Sequence, residues 1–285
     1  MGKADLHIHT DASDGDCTPY EILEKAIEKG LHTISITDHD TIKGYKKARN
    51  SDLSQEIELL PGVEMSVRWG EKEVHLLSYC FDPDDEDVNI LLLQQSGARR
   101  RRMARIVETL QKQGIDIDMD EVKAEAGFSN IGRPHAASVL MNKGVVASFN
   151  EAFIRYLSSE KLDHINAEYC TLSEAIRVMK KAGGVLSLAH PGPLYSSDEI
   201  EQMIDIGVDG LECIHPSHPY PVQKKFTKLA ENRHLMITGG SDYHRPSKSG
   251  YEPYFGIVTL GEQYVEALKR TSRQRKALKN YGDNG

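Results

Sequence analysis

Short apolar runs of strand length alternate with amphipathic stretches of helix length at both ends of this chain, and a long helical stretch parts the two series. Lys3 to Thr10 reads as a strand. Thr18-Pro19-Tyr20-Glu21 then supplies an N-cap, a proline at the first helical position and a capping-box glutamate, and Gly30 closes the helix. Leu31 to Thr37 predicts a second strand, Thr41 to about Arg49 a helix, Ile57 to Val63 a third strand and Lys72 to Phe81 a fourth.

After Phe81 the pattern changes. Asp82-Pro83-Asp84-Asp85-Glu86-Asp87 reads as an acidic linker, a helical pattern follows from about Val88 to Gln113, and no further strand is evident until Gly184. Residues 83–165 therefore read as an all-helical insertion between a first barrel part, 1–82, and a second, 166–285. The capping box Thr171-Leu172-Ser173-Glu174 restarts the alternation: a helix to Lys181, a strand at Val185 to Ala189, and strands at Gly210 to Ile214, Leu235 to Thr238 and Phe255 to Leu260. Such alternation predicts an α/β fold with a parallel sheet and functional groups at the C-terminal strand ends.

The length, 285 residues, suits one barrel with an insertion, since barrels of this kind take about 250 residues. Hydrophobic residues make up 39% of the chain, spread in runs that can build a core, and no stretch approaches the roughly 20 apolar residues of a membrane helix. The first residues carry charge where a signal peptide would be apolar, so a cytoplasmic protein without membrane contact is expected. Cys17, Cys80, Cys170 and Cys213 form no C-x-x-C pair, against a disulfide framework or a thiolate zinc site. A net charge of −8 disfavours broad adhesion to long nucleic-acid duplexes.

Ionisable residues change the picture. His7 and His9 stand two apart in a predicted strand, so both imidazoles leave one face and can converge on one ion. Two incidental histidines would look the same. The signal strengthens because Thr37-Asp38-His39-Asp40, Pro61-Gly62-Val63-Glu64, Val74-His75, Ala189-His190-Pro191 and Gly240-Ser241-Asp242-Tyr243-His244 recur in or after later strands.

With Asp5-Leu6-His7-Ile8-His9 at their head, these segments resemble, in order, the motifs of the PHP (polymerase and histidinol phosphatase) phosphoesterases, over residues 1–81 and 165 to about 258. The resemblance implies a distorted (β/α)7 barrel with a trinuclear metal site. His7, His9, Glu64 and Asp242 would hold one ion, Glu64 would bridge to a second held by His75 and His190, and Asp14, His39 and His244 would hold the third. Spacing alone leaves Asp16 open in place of Asp14. Three divalent ions are implied, manganese first with zinc or iron as alternatives; the mixed nitrogen and oxygen ligands themselves suit manganese, iron and zinc about equally and do not name the metal. Asp5, Asp38 and Asp40 are candidates to orient the histidines, or else helix caps and loop ion pairs.

Clustered divalent ions activate water and clamp phosphoryl oxygens, so no protein nucleophile is required, and the chain has no G-x-S-x-G elbow, P-loop or Cys-x5-Arg. Glu64, as the bridging group, is the first catalytic candidate. His218, in Glu212-Cys213-Ile214-His215-Pro216-Ser217-His218, could protonate the leaving oxygen, although a structural role for both histidines is the plainer reading.

Within the insertion, Arg99, Arg100, Arg101 and Arg102 lie in a helical pattern, and Arg133 and His135 flank Pro134 in a turn that could present them to an anion. The long insertion and the Arg-Pro-His turn are similar to the nucleotide-acting PHP subgroup. That implies release of the 3′-phosphate from nucleoside 3′,5′-bisphosphates, with short oligonucleotides as alternative substrates. Histidinol phosphatase, an amidohydrolase-like hydrolase and a non-catalytic, metal-stabilised module are the remaining alternatives.

Overall fold

The computed structural model describes residues 2–162, 165, 167–192, 194–244 and 254–282. The chain begins β1 (Lys3–Ile8), α1 (Pro19–Glu28), β2 (Thr33–Ile36), α2 (Lys43–Arg49), a 3-10 turn (Asp52–Gln55), β3 (Glu58–Trp69) and β4 (Lys72–Tyr79). A helical series follows: α3 (Glu86–Lys112), α4 (Met119–Ala126), α5 (Arg133–Asn142), α6 (Phe149–Ala152), a π-helical turn (Phe153–Leu157) and α7 (Ser159–Leu162). It ends α8 (Leu172–Lys181), β5 (Val185–Leu188), α9 (Ser197–Ile206), β6 (Gly210–Ile214), α10 (Tyr220–Asn232), β7 (Met236–Gly239), β8 (Leu260–Gly261) and α11 (Glu262–Gly282).

Local signals account for the helix starts. Thr18 and Glu21 form the reciprocal capping box of α1, with Pro19 behind the cap, and the Thr171 hydroxyl accepts the Glu174 N–H at 3.2 Å to start α8. The strands form one sheet in the order β7-β6-β5-β4-β3-β2-β1-β8. It nearly closes into a barrel, because His9 N–H donates to Tyr243 O at 2.8 Å and Ile8 bridges to Tyr243.

Two details depart from a uniform parallel barrel. β4 runs antiparallel to both β3 and β5, because Gly70, at φ 59°, turns β3 straight back into β4 without a helix. The expected strand Phe255–Leu260 shrinks to Leu260–Gly261, pairing antiparallel with Lys3 and Ala4. Gly256, at φ 71°, makes a turn there instead, and Phe255 packs on the Tyr243 ring at 4.8 Å.

The barrel core joins Leu6, Val63, Met65, Leu77, Tyr79 and Phe81 to the inner faces of α8 to α11. Its members include Val88, Leu91 and Leu92 of the first turns of α3. From Met103 onward α3 belongs instead to a separate apolar cluster with α4, α5 and Ile165. α11 is fastened to the barrel by Arg275, which donates to both Asp209 oxygens at 2.6 and 2.8 Å. Asp209 also receives Lys180 at 2.8 Å and the Leu186 N–H at 3.0 Å. Among the described residues, no helix is long and apolar enough to cross a membrane.

Candidate metal centre

Seven histidines and three carboxylates converge at one end of the sheet. β1 delivers His7 and His9 side by side, their ring centroids 5.2 Å apart. The next residues are held by Asp38, which accepts Thr10 N–H, Thr10 Oγ1 and Ser13 Oγ, each at 2.7 Å, and this carries Asp14 to the cluster. Glu64 enters from within β3, which runs on past its expected end.

Glu64 is the hub. Its Oε1 lies 3.0 Å from both His75 Nδ1 and His190 Nε2. Its Oε2 lies 3.1 Å from His39 Nδ1, 3.3 Å from His9 Nε2 and 3.4 Å from His7 Nε2. Asp242 Oδ1 is 3.3 Å from His7 Nε2 and from His9 Nε2, and 3.5 Å from His244 Nδ1. Asp14 approaches His244 Nε2 at 3.5 Å, His9 Nδ1 at 3.7 Å and His39 Nε2 at 3.9 Å. His190 and Asp242 adopt left-handed backbone, at φ 28° and 51°, uncommon for non-glycine residues and often found at functional sites.

The electrostatics follow from burial opposed by neighbours. Burial pushes the Glu64 carboxyl up, but His39, His75 and His7 outweigh it and hold it well below the usual range; His244 and His39 do the same for Asp14. Burial disfavours charge on His9, yet Asp242 and Glu64 raise it to about 10, and Glu64 with Glu73 raises His75 to about 9. His39 goes the other way: its burial prevails over Glu64 and Asp14.

The donor set fits metal ions. His7 Nε2, both ring nitrogens of His9 and His39 Nδ1 are buried without a hydrogen-bond partner among the described residues. Ligand atoms about 2.1 Å from a shared ion stand about 3 Å from one another, the spacing seen around Glu64. Three groups of ligand atoms are compact enough: His9, Asp14, His39 and His244; His7, His9 and Glu64; His39, Glu64 and His75. The nine residues expected as ligands are thus brought together. His215 joins them, with Nε2 3.3 Å from Asp242 Oδ2, in a fourth group with His7.

The orienting carboxylates differ from those anticipated. Asp5 accepts the Ser241 and His7 backbone N–H groups, Asp38 holds the loop described above, and Asp40 accepts Ser66 N–H at 2.9 Å and Arg99 Nε at 2.5 Å. Backbone, hydroxyl and arginine donors thus claim all three in place of imidazoles. Glu212 of β6 orients His7 instead, accepting its Nδ1 proton at 2.8 Å and, on the other oxygen, the His190 N–H at 2.6 Å. Glu73, also unforeseen, lies 3.7 Å from His75 Nε2.

His218 does not present a free nitrogen to the cluster: its Nδ1 donates to Cys213 O at 3.2 Å and its Nε2 accepts the Gly192 N–H at 3.0 Å. Burial also lowers the pKa of its ring, and its two backbone contacts fasten the loop after His190, an anchoring place in contrast to the general-acid role expected.

The insertion supplies the rest of the cavity. Arg99, Arg102 and Arg133 line, together with Asp14, His39 and His75, a cavity of about 190 Å³. Arg99 is held by Asp40 and by Ser66 Oγ at 2.8 Å, Arg102 by Glu73 at 2.6 Å, and Arg133 by Leu157 O at 3.2 Å. Arg100 and Arg101 are exposed, outside this lining, with Arg101 paired to Glu168 at 2.7 Å; positions one and two along a helix turn away from Arg99. His135 also misses the cavity. Its Nδ1 accepts the Gly132 N–H at 3.0 Å and its Nε2 meets Ser129 Oγ at 3.2 Å, so the ring caps α5.

Comparison with known proteins agrees with this geometry. Residues 5–182 match the family model described as PHP domain. The 5′-3′ exoribonuclease Rnm of Escherichia coli (strain K12) is 31% identical over 249 residues, 85% of each chain. The 3′,5′-nucleoside bisphosphate phosphatase of Chromobacterium violaceum is 30% identical over 256 residues, 88% of this chain and 90% of that protein. A structure from Bifidobacterium adolescentis, described as a metal-dependent phosphoesterase, superposes with a TM-score of 0.82 at 33% identity, covering 94% of this chain and 96% of that one.

Proposed function

The chain belongs to the PHP domain family and is a hydrolase acting on phosphoester bonds, and from that premise we propose that it removes the 3′-phosphate from nucleoside 3′,5′-bisphosphates. One observation supports the choice of substrate: three guanidiniums line a small cavity together with Asp14, His39 and His75 of the cluster. A substrate with two anionic groups at a fixed separation suits that arrangement, one group on the cluster and one on the arginines. The similarity to the Chromobacterium violaceum phosphatase supports the reading.

In this reading His7, His9, Glu64 and Asp242 would hold one divalent ion, Glu64, His75 and His190 a second, and Asp14, His39 and His244 a third, with manganese the first choice. Ions so held supply hydroxide at neutral pH and neutralise charge on the phosphoryl oxygens. Glu64 contributes both carboxylate oxygens and so sets the spacing of its neighbours. Glu212 keeps the His7 proton on Nδ1 and leaves Nε2 as a lone-pair donor. Arg99, Arg102 and Arg133 hold the 5′-phosphate, while Asp40, Glu73 and the Leu157 carbonyl keep the guanidiniums from swinging away. Arg100, Arg101 and His135 have no part in this contact.

Adenosine 3′,5′-bisphosphate, histidinol phosphate and short 5′-phosphorylated RNA, assayed side by side with Mn²⁺, test the assignment. AMP and phosphate from the first are expected. Turnover of histidinol phosphate alone would reject a nucleotide substrate, and turnover of none, with a metal-dependent rise in stability, would leave a non-catalytic module.

A further inference from the structure

Resting on the metal-dependent reading above, we propose that His215 is a positioning residue: it donates its Nε2 proton to Asp242 and so confines that carboxylate to offering the cluster one oxygen. Its place beside the ligands admits two roles. His215 Nε2 lies 3.3 Å from Asp242 Oδ2, close enough either to share an ion with His7 and Asp242 or to hydrogen-bond the carboxylate. The two roles need opposite tautomers, because a metal ligand presents a lone pair at Nε2 and a donor presents a proton.

The local chain settles the tautomer. His218 N–H donates to His215 O at 2.9 Å, closing a turn with Pro216 at its second position, where the fixed φ of proline suits it. That turn brings the Ser217 N–H onto His215 Nδ1 at 3.1 Å, and the Ser217 hydroxyl stands 2.7 Å from the same nitrogen. A backbone N–H can only donate, so Nδ1 carries the lone pair and the proton of the neutral ring is on Nε2. The ring is buried between those of His190 and His218, with centroids 5.4 and 5.5 Å away, which leaves little room for it to turn over.

A bulge in β6 aims both Glu212 and His215 at the cluster. Glu212 pairs with Thr238 and Ile214 with Gly239, so Cys213 is the extra residue and the alternation of the strand shifts. Side chains three apart then converge, Glu212 on His7 and His215 on Asp242.

Asp242 has need of such a partner. It follows β7 in a loop, on left-handed backbone at φ 51°, and its Oδ1 stands 3.3 Å from His7 Nε2 and from His9 Nε2. An unrestrained carboxylate can turn both oxygens to one ion and take up a position that a catalytic site keeps open for water or substrate. With Oδ2 engaged by His215, Asp242 would bind through Oδ1 and leave that position free. A ligand and a positioning residue therefore fail in opposite ways. Losing a ligand weakens metal binding, whereas losing the restraint frees a chelating oxygen and slows turnover.

Two measurements on the full chain test this. In protein stripped of divalent ions, at mildly alkaline pH, a long-range ¹H–¹⁵N spectrum is expected to show His215 protonated at Nε2 and not at Nδ1, with its signals identified by their loss in His215→Gln. The opposite tautomer would overturn the proposal whatever the variants do. His215→Phe keeps a ring without the donor; it should lower kcat roughly tenfold for whichever phosphoester the wild type turns over, with calorimetric Mn²⁺ affinity within about twofold of wild type or tighter. His215→Gln, whose amide N–H stands in for Nε2–H, should restore most of the lost kcat. A fall in Mn²⁺ affinity in both variants would make His215 a ligand, an equal loss of kcat in both would reduce it to packing, and unchanged kcat in both would remove it from the site. Each of these overturns the proposal. A wild type that turns over no phosphoester would reject the phosphoesterase substrate instead, and the tautomer and the Mn²⁺ titration would still decide the role of His215.

Discussion

Glu212 accepts the Nδ1 proton of His7 at 2.8 Å, and so decides which nitrogen of that histidine faces the cluster. Glu212→Gln keeps the shape but can offer its amide N–H to Nδ1, which favours the other tautomer. Metal affinity is expected to fall roughly 10- to 100-fold, with little change in kcat once metal is saturating. Calorimetric titration with Mn²⁺ measures the first, and an unchanged affinity would deny Glu212 its orienting role.

Arg133→Ala should raise KM for adenosine 3′,5′-bisphosphate by roughly tenfold or more, the size of one charge-assisted phosphate contact, while a small aryl phosphate lacking a second anion is hydrolysed nearly as before. Arg101→Ala, on the outer face of α3, should change neither. Steady-state kinetics on the two substrates separate these cases. An equal loss on both substrates for Arg133→Ala would point to a structural role.

Stripping divalent ions should abolish turnover and lower the unfolding temperature, since the ligand atoms of His7, His9 and His39 lie buried without other partners among the described residues. Stabilisation by a ligand grows with the logarithm of its free concentration, reaching about 4 kcal/mol at a thousand times Kd. Melting curves across a Mn²⁺ series would show this slope. Glu64→Gln, which weakens the shared ligand, should flatten it.

Asp209 offers a pH signature away from the metal centre. Burial raises its carboxyl, but Arg275 and Lys180 outweigh that and depress it below the ordinary 3.8. Its contribution is therefore fully present above that value and is lost as pH falls through the lowered one. Asp209→Asn should cost about 2 kcal/mol at neutral pH, in the range for hydrogen bonds to a charged group. Urea unfolding at pH 7 and pH 3 should show the gap between variant and wild type narrowing in acid.

His218→Ala removes two backbone contacts and a ring 5.3 Å from Phe226. Thermal stability should drop and activity should fall by less than about tenfold, smaller than the 10²- to 10⁴-fold typical of a lost general acid. A loss in that larger range, in a folded protein, would restore His218 to the chemistry.

Most of the histidine and carboxylate cluster was legible in the sequence because its residues lie in or just after strands, and strand order fixes which strand ends meet; Asp14, in the loop after β1, was legible only through the family resemblance, since spacing left Asp16 open. The arginines were half legible. Helical geometry alone pairs Arg99 with Arg102 and sends Arg100 and Arg101 elsewhere, but only the fold reveals that the first pair faces the cluster. Glu212 carries a signal of its own, a lone acid inside the apolar run Gly210–Ile214, where a buried charge demands a partner. The left-handed backbone of His190 and Asp242 left only a weak local signal: Asp and His are enriched there among non-glycine residues, but most of them lie elsewhere, and the surrounding structure imposes it. His218 misled because proximity to the cluster along the chain says nothing about whether its ring nitrogens are already spent.

α3 starts among the apolar side chains of the barrel and ends among those of the insertion, and Arg99 and Arg102 sit near the crossover. The helix is thus a stiff beam seated in two separate cores, with the proposed substrate arginines between the two seats. The residues of the metal cluster belong to the first seat, the sheet and its loops, and the distal helices build a core of their own. Because that second core is drawn from one continuous length of chain, inheritance can rewrite its packing without rewriting the packing of the sheet.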